Sequence, residues 1–208
     1  MTELQEHWQA AYISKSAAQR SWSNEADTSF RLIVQHAPAL ESIVVDVGGG
    51  ASPLGVRLVT AGYNDVSVMD ISEHALDEAR TSSKRAGSGT VSEQVMWICA
   101  DIRTWRPSHT YDVWHDRAVL HFLVDQEERD AYSRLASTSL KPGGFLIVAT
   151  FSEDGPETCS GLPVRRSTHD DLSALFGPSF EEIERFREKH HTPWGSVQPF
   201  NWSVFRRN

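Results

Sequence analysis

Short apolar runs alternate along the chain with longer amphipathic stretches. That alternation predicts βαβ units wound into a mostly parallel sheet. The opening stretch, through about Arg20, carries Leu4, Trp8, Ala11 and Tyr12 at helical spacing. A looser run, Ser21-Trp22-Ser23-Asn24, follows it. Asp27 or Thr28 is placed to cap a helix bearing Phe30, Ile33 and Val34 up to Pro38. Residues 43–47 predict the first strand, which runs into Gly48-Gly49-Gly50. Residues 51–61 predict the crossover helix, with Pro53 tolerable only in its first turn. Residues 65–70 predict a second strand. Ser72 caps the next helix, which runs to about Ala86 and ends at Gly87-Ser88-Gly89. Residues 95–100 and 111–115 predict strands three and four. Asp125-Gln126-Glu127-Glu128 has the form of a capping box and opens a helix through Leu140. Lys141-Pro142-Gly143-Gly144 predicts a turn before a fifth strand at 145–151. Thr168-His169-Asp170-Asp171 is a second capping-box pattern, opening a helix that stops at Gly177. Two antiparallel strands, 180–187 and 197–205, would complete the sheet, although 180–187 also fits a helix.

With 208 residues the chain suits one large domain, and 39% hydrophobic against 23% charged residues suits a buried core. A net charge of −8 argues against nucleic acid as a partner, because no basic surplus exists to displace counterions. Arg165-Arg166 and Arg206-Arg207 then read as solvated surface arginines. Two cysteines cannot make a disulfide framework; Cys99, in an apolar run, reads as a buried small hydrophobe. The first residues are polar and acidic, and no apolar stretch is long enough to span a bilayer. A cytoplasmic location and no membrane partner are expected.

In an open α/β sheet a ligand sits beyond the carboxyl ends of the strands, where the strand order reverses. The candidates are therefore Asp46 to Ser52, Asp70-Ile71, Asp101-Ile102 and His115 to Arg117. Gly48 and Gly50 allow a tight turn and close backbone approach. Asp70, about twenty residues on, is placed to accept hydrogen bonds from both hydroxyls of a ribose. The dinucleotide fingerprint wants a third glycine where this chain has Pro53. Asp46 would also oppose a pyrophosphate. It suits a phosphate-free ligand carrying an ammonium and a sulfonium, and S-adenosylmethionine is one. Asp101 is placed to accept from an adenine amino group, with Ile71 and Ile102 on either side of the ring.

Four segments stand in order: residues 44–52, 68–72, 99–102 and 140–146. Together they resemble the successive signatures of class I S-adenosylmethionine-dependent methyltransferases. The resemblance implies an α/β fold: a Rossmann-like, doubly wound, seven-stranded sheet, mostly parallel with an antiparallel final strand and helices on both faces. It implies S-adenosyl-L-methionine as cofactor, held by Asp46, Gly48, Gly49, Gly50, Ser52, Asp70, Ile71, Asp101, Ile102 and His115. Gly49 departs from the pattern, since many members carry Cys, Ser or Thr there. The whole of 1–208 reads as one methyltransferase domain. Residues 1–40 form a helical lid, 41–151 the cofactor-binding core, and 152–208 the last strands and acceptor-site loops.

His115 stands where cofactor and acceptor would meet, and it is the candidate base, with Tyr12 a distant second. Asp116 and Arg117 form an ion pair in one reading. His121 packs under the sheet. The loops carrying Cys159 and His190-His191 lie near the same face, and Cys159 reads as an ordinary thiol. Trp8 and Trp22 fold over the cofactor or pack in the core. The nine histidines show no zinc spacing, so no metal is expected. The acceptor is a small molecule in preference to a protein. A nicotinamide-dependent oxidoreductase or a non-catalytic binding module would share the glycine loop.

Overall fold

A computed structural model of the chain describes residues 2–16, 19–21, 26–85, 87 and 89–208. Four strands rise in parallel: β1 (Ile43–Val47), β2 (Asp65–Asp70), β3 (Met96–Cys99) and β4 (Tyr111–Arg117). They are joined by β5 (Leu140–Phe151), β8 (Phe180–His191) and β9 (Val197–Arg207), while β6 (Thr158–Cys159) and β7 (Leu162–Pro163) form a small separate hairpin. The seven-stranded sheet has the order β3-β2-β1-β4-β5-β9-β8. The last strand, β9, is antiparallel to both neighbours, β5 and β8. The seven strands, the antiparallel last one and the reversal of order at β1 and β4 are as the resemblance implied.

Successive residues of each strand face opposite sides of the sheet, so each strand serves two cores. Val44, Val113, Ile147 and Val204 face α2 (Asp27–His36), α3 (Leu54–Thr60) and α4 (Glu73–Arg85) through Leu32, Leu58 and Leu76. Their neighbours Val45, Trp114, Val148 and Phe205 face α6 (Gln126–Ser139) and α7 (His169–Phe176) through Tyr132 and Phe176. The same alternation corrects the Asp116–Arg117 pairing. The two side chains stand on opposite faces. Asp116 accepts from the Val119 N–H at 2.9 Å, the Leu120 N–H at 3.1 Å and the Tyr132 hydroxyl at 2.5 Å. Trp114 Nε1 donates in turn to Tyr132 at 2.9 Å. Burial raises the Asp116 carboxyl to about 6 against the pull of these donors. Tyr132→Phe removes the middle of this chain and orphans a buried indole N–H. A loss of about 1–3 kcal/mol in urea unfolding is expected; an unchanged midpoint would refute that account.

Several boundaries move. The first helix, α1 (Glu3–Ser14), stops well before Arg20, and Ser16 instead closes a local turn by donating from its N–H and hydroxyl to Gln19 Oε1. Neither Asp27 nor Thr28 caps α2: Ala26 takes the cap position at φ 58, while Asp27 pairs with Arg57 and Thr28 with Glu188. The crossover helix begins only at Leu54, after the glycine loop has finished turning. Gly89–Ser92 adds a short helix, α5. Ala86 and Ser88, where the fourth helix was expected to end, lie outside the described residues. The Asp125 side chain makes no cap bond, whereas Thr168 and Asp171 form the full capping box expected of them. The turn expected at 141–144 is a bulge inside β5. Leu140 pairs with Tyr111 and Phe145 with Val113, so four residues stand against Asp112 alone, clamped by Lys141 at 2.7 Å. The segment 180–187 is strand, and His190-His191 end that strand instead of forming a loop. Cys99 is exposed, because β3 is an edge strand; Gln5 of α1 reaches its sulfur at 3.9 Å.

Candidate functional site

The carboxyl ends of β1, β2 and β4 and the loop after β3 surround one cavity of about 430 Å³. Asp46, Gly48, Gly49, Ser52, Asp70, Ile71, Asp101, Ile102 and His115 all line it. Gly50 stands just behind the wall, between Tyr12 and Asp70.

Backbone geometry explains the glycines. The Gly48 and Gly49 N–H groups both donate to Met69 O at the end of β2, at 2.7 and 3.1 Å. This folds the loop back across the sheet. Gly48 sits at φ 68 and Gly50 at φ 51, where a side chain is strained. Gly49 has ordinary dihedrals and a different reason. A Cβ there would lie 2.5 Å from Asp46 Oδ2 and 2.6 Å from Val68 Cγ1. The departure at this position is thus tied to where the Asp46 carboxylate lies.

Parallel pairing puts Asp46 directly beside His115 on one face of the sheet. His115 Nδ1 lies 2.7 Å from Asp46 Oδ1, and both side chains are buried. His115 Nε2 is buried too and has no hydrogen-bond partner among the described residues. Asp70 is 7% exposed and accepts from the Ser72 N–H at 2.8 Å. Burial, reinforced by the charge of Asp46, raises its carboxyl to about 7 against the backbone donors of Ser72, Gly50 and Ile71. Asp101 is already engaged. Arg103 forks onto both its oxygens, at 3.0 and 2.5 Å. Burial raises the Asp101 carboxyl, but Arg103 outweighs it and the group stays below its usual range.

The N-terminal segment forms the roof. Leu4, Trp8, Tyr12 and Arg20 line the cavity from above. Gln9 Oε1 accepts from the Ser72 hydroxyl and the His74 N–H, at 2.8 and 2.9 Å. Arg20 donates twice to Glu78 at 2.7 Å and lies over the Tyr12 ring. Trp8 meets Phe122 edge-on at 5.1 Å. Trp22, the other half of the expected lid, lies outside the described residues.

Arg20, Glu78, Val119 and Leu123 also line the cavity and were not named as site residues from sequence, whereas Leu162 and Pro163 belong to the expected Cys159 loop. Only the position of Arg20 at the end of the first apolar pattern hinted at a role. Cys159 lines the cavity, and burial pushes its thiol up to about 11, so it is protonated near neutrality. Arg117 also lines it, over the ring of Phe200 at 4.8 Å, and burial lowers it to about 10. His121 is fully buried against Phe122 and Phe151, with burial holding it at about 3. His190 stands outside the cavity, 2.6 Å from Ser21 O. Arg165 and Arg166 form no patch, since Arg166 pairs with Glu157. Among the described residues no group of three or more His, Cys, Asp or Glu can hold a metal ion, and no helix is long and apolar enough to cross a membrane.

A family model for a methyltransferase domain matches residues 44–144, the stretch that carries every strand-end residue of this cavity. That stretch is a methyltransferase domain. The chain is 31% identical over 120 residues to the ubiquinone/menaquinone biosynthesis C-methyltransferase of Roseobacter denitrificans, covering 56% of this chain and 45% of that one. It is 29% identical over 150 residues to thiocyanate methyltransferase 1 of Brassica oleracea, covering 66% and 65%. The match therefore spans less than two thirds of either relative. In fold the chain is similar to the 1,6-didemethyltoxoflavin-N1-methyltransferase of Burkholderia thailandensis. The TM-score is 0.76 at 18% identity, over 99% of this chain and 87% of that one.

Proposed function

We propose that the chain is an S-adenosylmethionine-dependent methyltransferase acting on a small-molecule acceptor. The observation that carries this reading is the pair of buried carboxylates, Asp46 and Asp70, at the ends of adjacent strands in one cavity. Asp70 accepts the two ribose hydroxyls. Its carboxyl is buried, and hydroxyl donors added to the backbone donors of Ser72, Gly50 and Ile71 stabilise its ionised form. Asp46, beside the glycine loop, favours a cationic ligand head and opposes a phosphate. Gly48, Gly49, Gly50 and Ser52 form the cradle, where a Cβ on Gly50 would fall 2.3 Å from Tyr12 Oη. Ile71 and Ile102 offer apolar contact to a base, and Asp101 keeps lone pairs for an amino group beside Arg103. His115 is the candidate catalytic base. When bound, the cofactor supplies an electrophilic methyl group and a neutral leaving group.

The N-terminal segment, read from the sequence as a lid over 1–40, closes the cavity through Leu4, Trp8, Tyr12 and Arg20 and keeps water out. A cavity of about 430 Å³ is of small-molecule size, which favours a small acceptor over a protein chain. Relatives named for thiocyanate and for didemethyltoxoflavin agree with that choice. The methyltransferase domain leaves the nicotinamide reading without support.

Isothermal titration calorimetry with S-adenosylmethionine, S-adenosylhomocysteine and NADH tests the reading. Micromolar binding of both sulfur nucleotides and none of NADH is expected. Binding of NADH alone would sink it.

A further inference from the structure

We propose that Asp46 and His115 form a proton-accepting pair, so that the acceptor is an O–H or N–H nucleophile that gives up its proton during transfer. Preformed anions would need no such pair. The inference rests on the methyltransferase reading for its reaction but on the apparatus of this chain for its geometry.

The order β1 next to β4 and the register Asp46 opposite His115 bring the two side chains together on one face. An ionised carboxylate only accepts, so the ring nitrogen 2.7 Å from Asp46 Oδ1 carries the hydrogen. In the neutral ring the lone pair is then on Nε2. That atom is buried and unpartnered among the described residues, in a side chain that lines the cavity. Leaving a buried polar atom unmet is unfavourable, and a donor on a bound molecule would offset it. Trp202 backs the ring at a centroid distance of 6.1 Å, fixing its plane. Gly49 completes the arrangement, because a side chain there would overlap Asp46 Oδ2.

Cys159 and Arg117, also at the cavity, are worse bases. The Cys159 thiol is held protonated by burial. Arg117 is a cation, and Asp116 faces the other side of the sheet. The charged groups around His115 are Asp46 on β1, Asp70 on β2, Asp116 and Arg117 on β4, and Glu188 on β8, which accepts from Trp202 Nε1. Asp46 alone among these lies in hydrogen-bond contact with the ring. In the transfer, the acceptor's lone pair forms the bond to the methyl carbon. The carbon–sulfur bond breaks with its electron pair left on sulfur, and the acceptor's proton passes to Nε2. Asp46 is the positioning residue: it fixes the tautomer and stabilises the imidazolium.

The test has two arms. In ¹⁵N-histidine NMR, read on the empty protein and on its S-adenosylhomocysteine complex, His115 is expected to show Nδ1–H and a bare Nε2 near pH 8. Asp46→Asn should shift the hydrogen toward Nε2. A proton on Nε2 in the wild type would overturn the proposal. The second arm follows S-adenosylhomocysteine release with two probe sets, phenol and 4-methylphenol, which keep their O–H hydrogens near pH 8, against thiocyanate and iodide. Transfer to the phenols should outpace transfer to the anions. It should fall about 10²–10⁴-fold in His115→Gln at saturating S-adenosylmethionine, and Asp46→Asn should distort the pH profile. Faster consumption of thiocyanate or iodide than of the phenols, unaltered in His115→Gln, would overturn it. Failure of the wild type to bind S-adenosylhomocysteine would instead sink the methyltransferase reading, and the tautomer of the empty protein judges the pair by itself.

Discussion

Asp70→Asn is expected to weaken S-adenosylhomocysteine binding by about a hundredfold at pH 8 while making the empty protein more stable. Two hydrogen bonds to an ionised carboxylate contribute about 1.5–3 kcal/mol each. An asparagine retains one acceptor and sets an N–H₂ against the second hydroxyl. The stability change has the opposite sign because Asp70 is costly in the empty site. Burial first, and the Asp46 charge after the Ser72 N–H has pulled back, lift its carboxyl from 3.8 to about 7. Below 3.8 the group is protonated in both folded and unfolded chains and changes nothing. Between there and about 7 the folded chain keeps a proton that the unfolded chain has released. Stability therefore falls as pH rises through that window, by roughly 4 kcal/mol at most. Asparagine does not ionise and escapes that loss. The same linkage makes wild-type affinity climb with pH up to about 7 and level off above it, since the ribose hydroxyls favour the ionised form. Calorimetry and thermal melts from about pH 5.5 to 8.5 would show both trends. An identical pH profile in the variant, or a less stable variant at pH 8, would refute the assignment.

The strands were legible because each is a run of apolar residues ended by a turn signal. β1 and β2 fall on the expected residues. Strand-end acids followed directly, since one rule places ligands at carboxyl ends. What local patterning does not contain is strand order. The meeting of Asp46 with His115, 69 positions apart, requires β1 beside β4. The Arg20–Glu78 link, 58 positions apart, requires the roof to dock on α4. The Asp116–Arg117 error was avoidable, because neighbours in a strand point apart. Cys99 misled because an apolar run on an edge strand looks like one in the middle. The bulge at 141–144 reads as a turn since both use Pro and Gly to break a ladder.

Gly48→Ala should be the most damaging single-methyl change in the loop, costing about 2–5 kcal/mol. Two effects add. At φ 68 an L side chain is strained by about 1–2 kcal/mol. The new Cβ would also lie 1.9 Å from Val119 Cγ2, far inside contact distance. Val119 has little room to yield. It is β-branched, follows Ala118 at φ 72, and its N–H is held by Asp116 at 2.9 Å. The loop must move instead, and its two N–H bonds to Met69 O move with it. Gly50→Ala provides the contrast. There the nearest atom is Tyr12 Oη at 2.3 Å, the far end of a side chain on the roof, so the roof shifts and the sheet does not. Val119→Ala removes the atom that Gly48→Ala strikes. The double variant should therefore be more stable than the sum of the singles by about 1–3 kcal/mol, with the dihedral strain left over. Urea unfolding of the four proteins measures that coupling. Strict additivity would show that Val119 is not what excludes a side chain at position 48, and a Gly48→Ala cost below about 1 kcal/mol would show that the loop turns without needing glycine there.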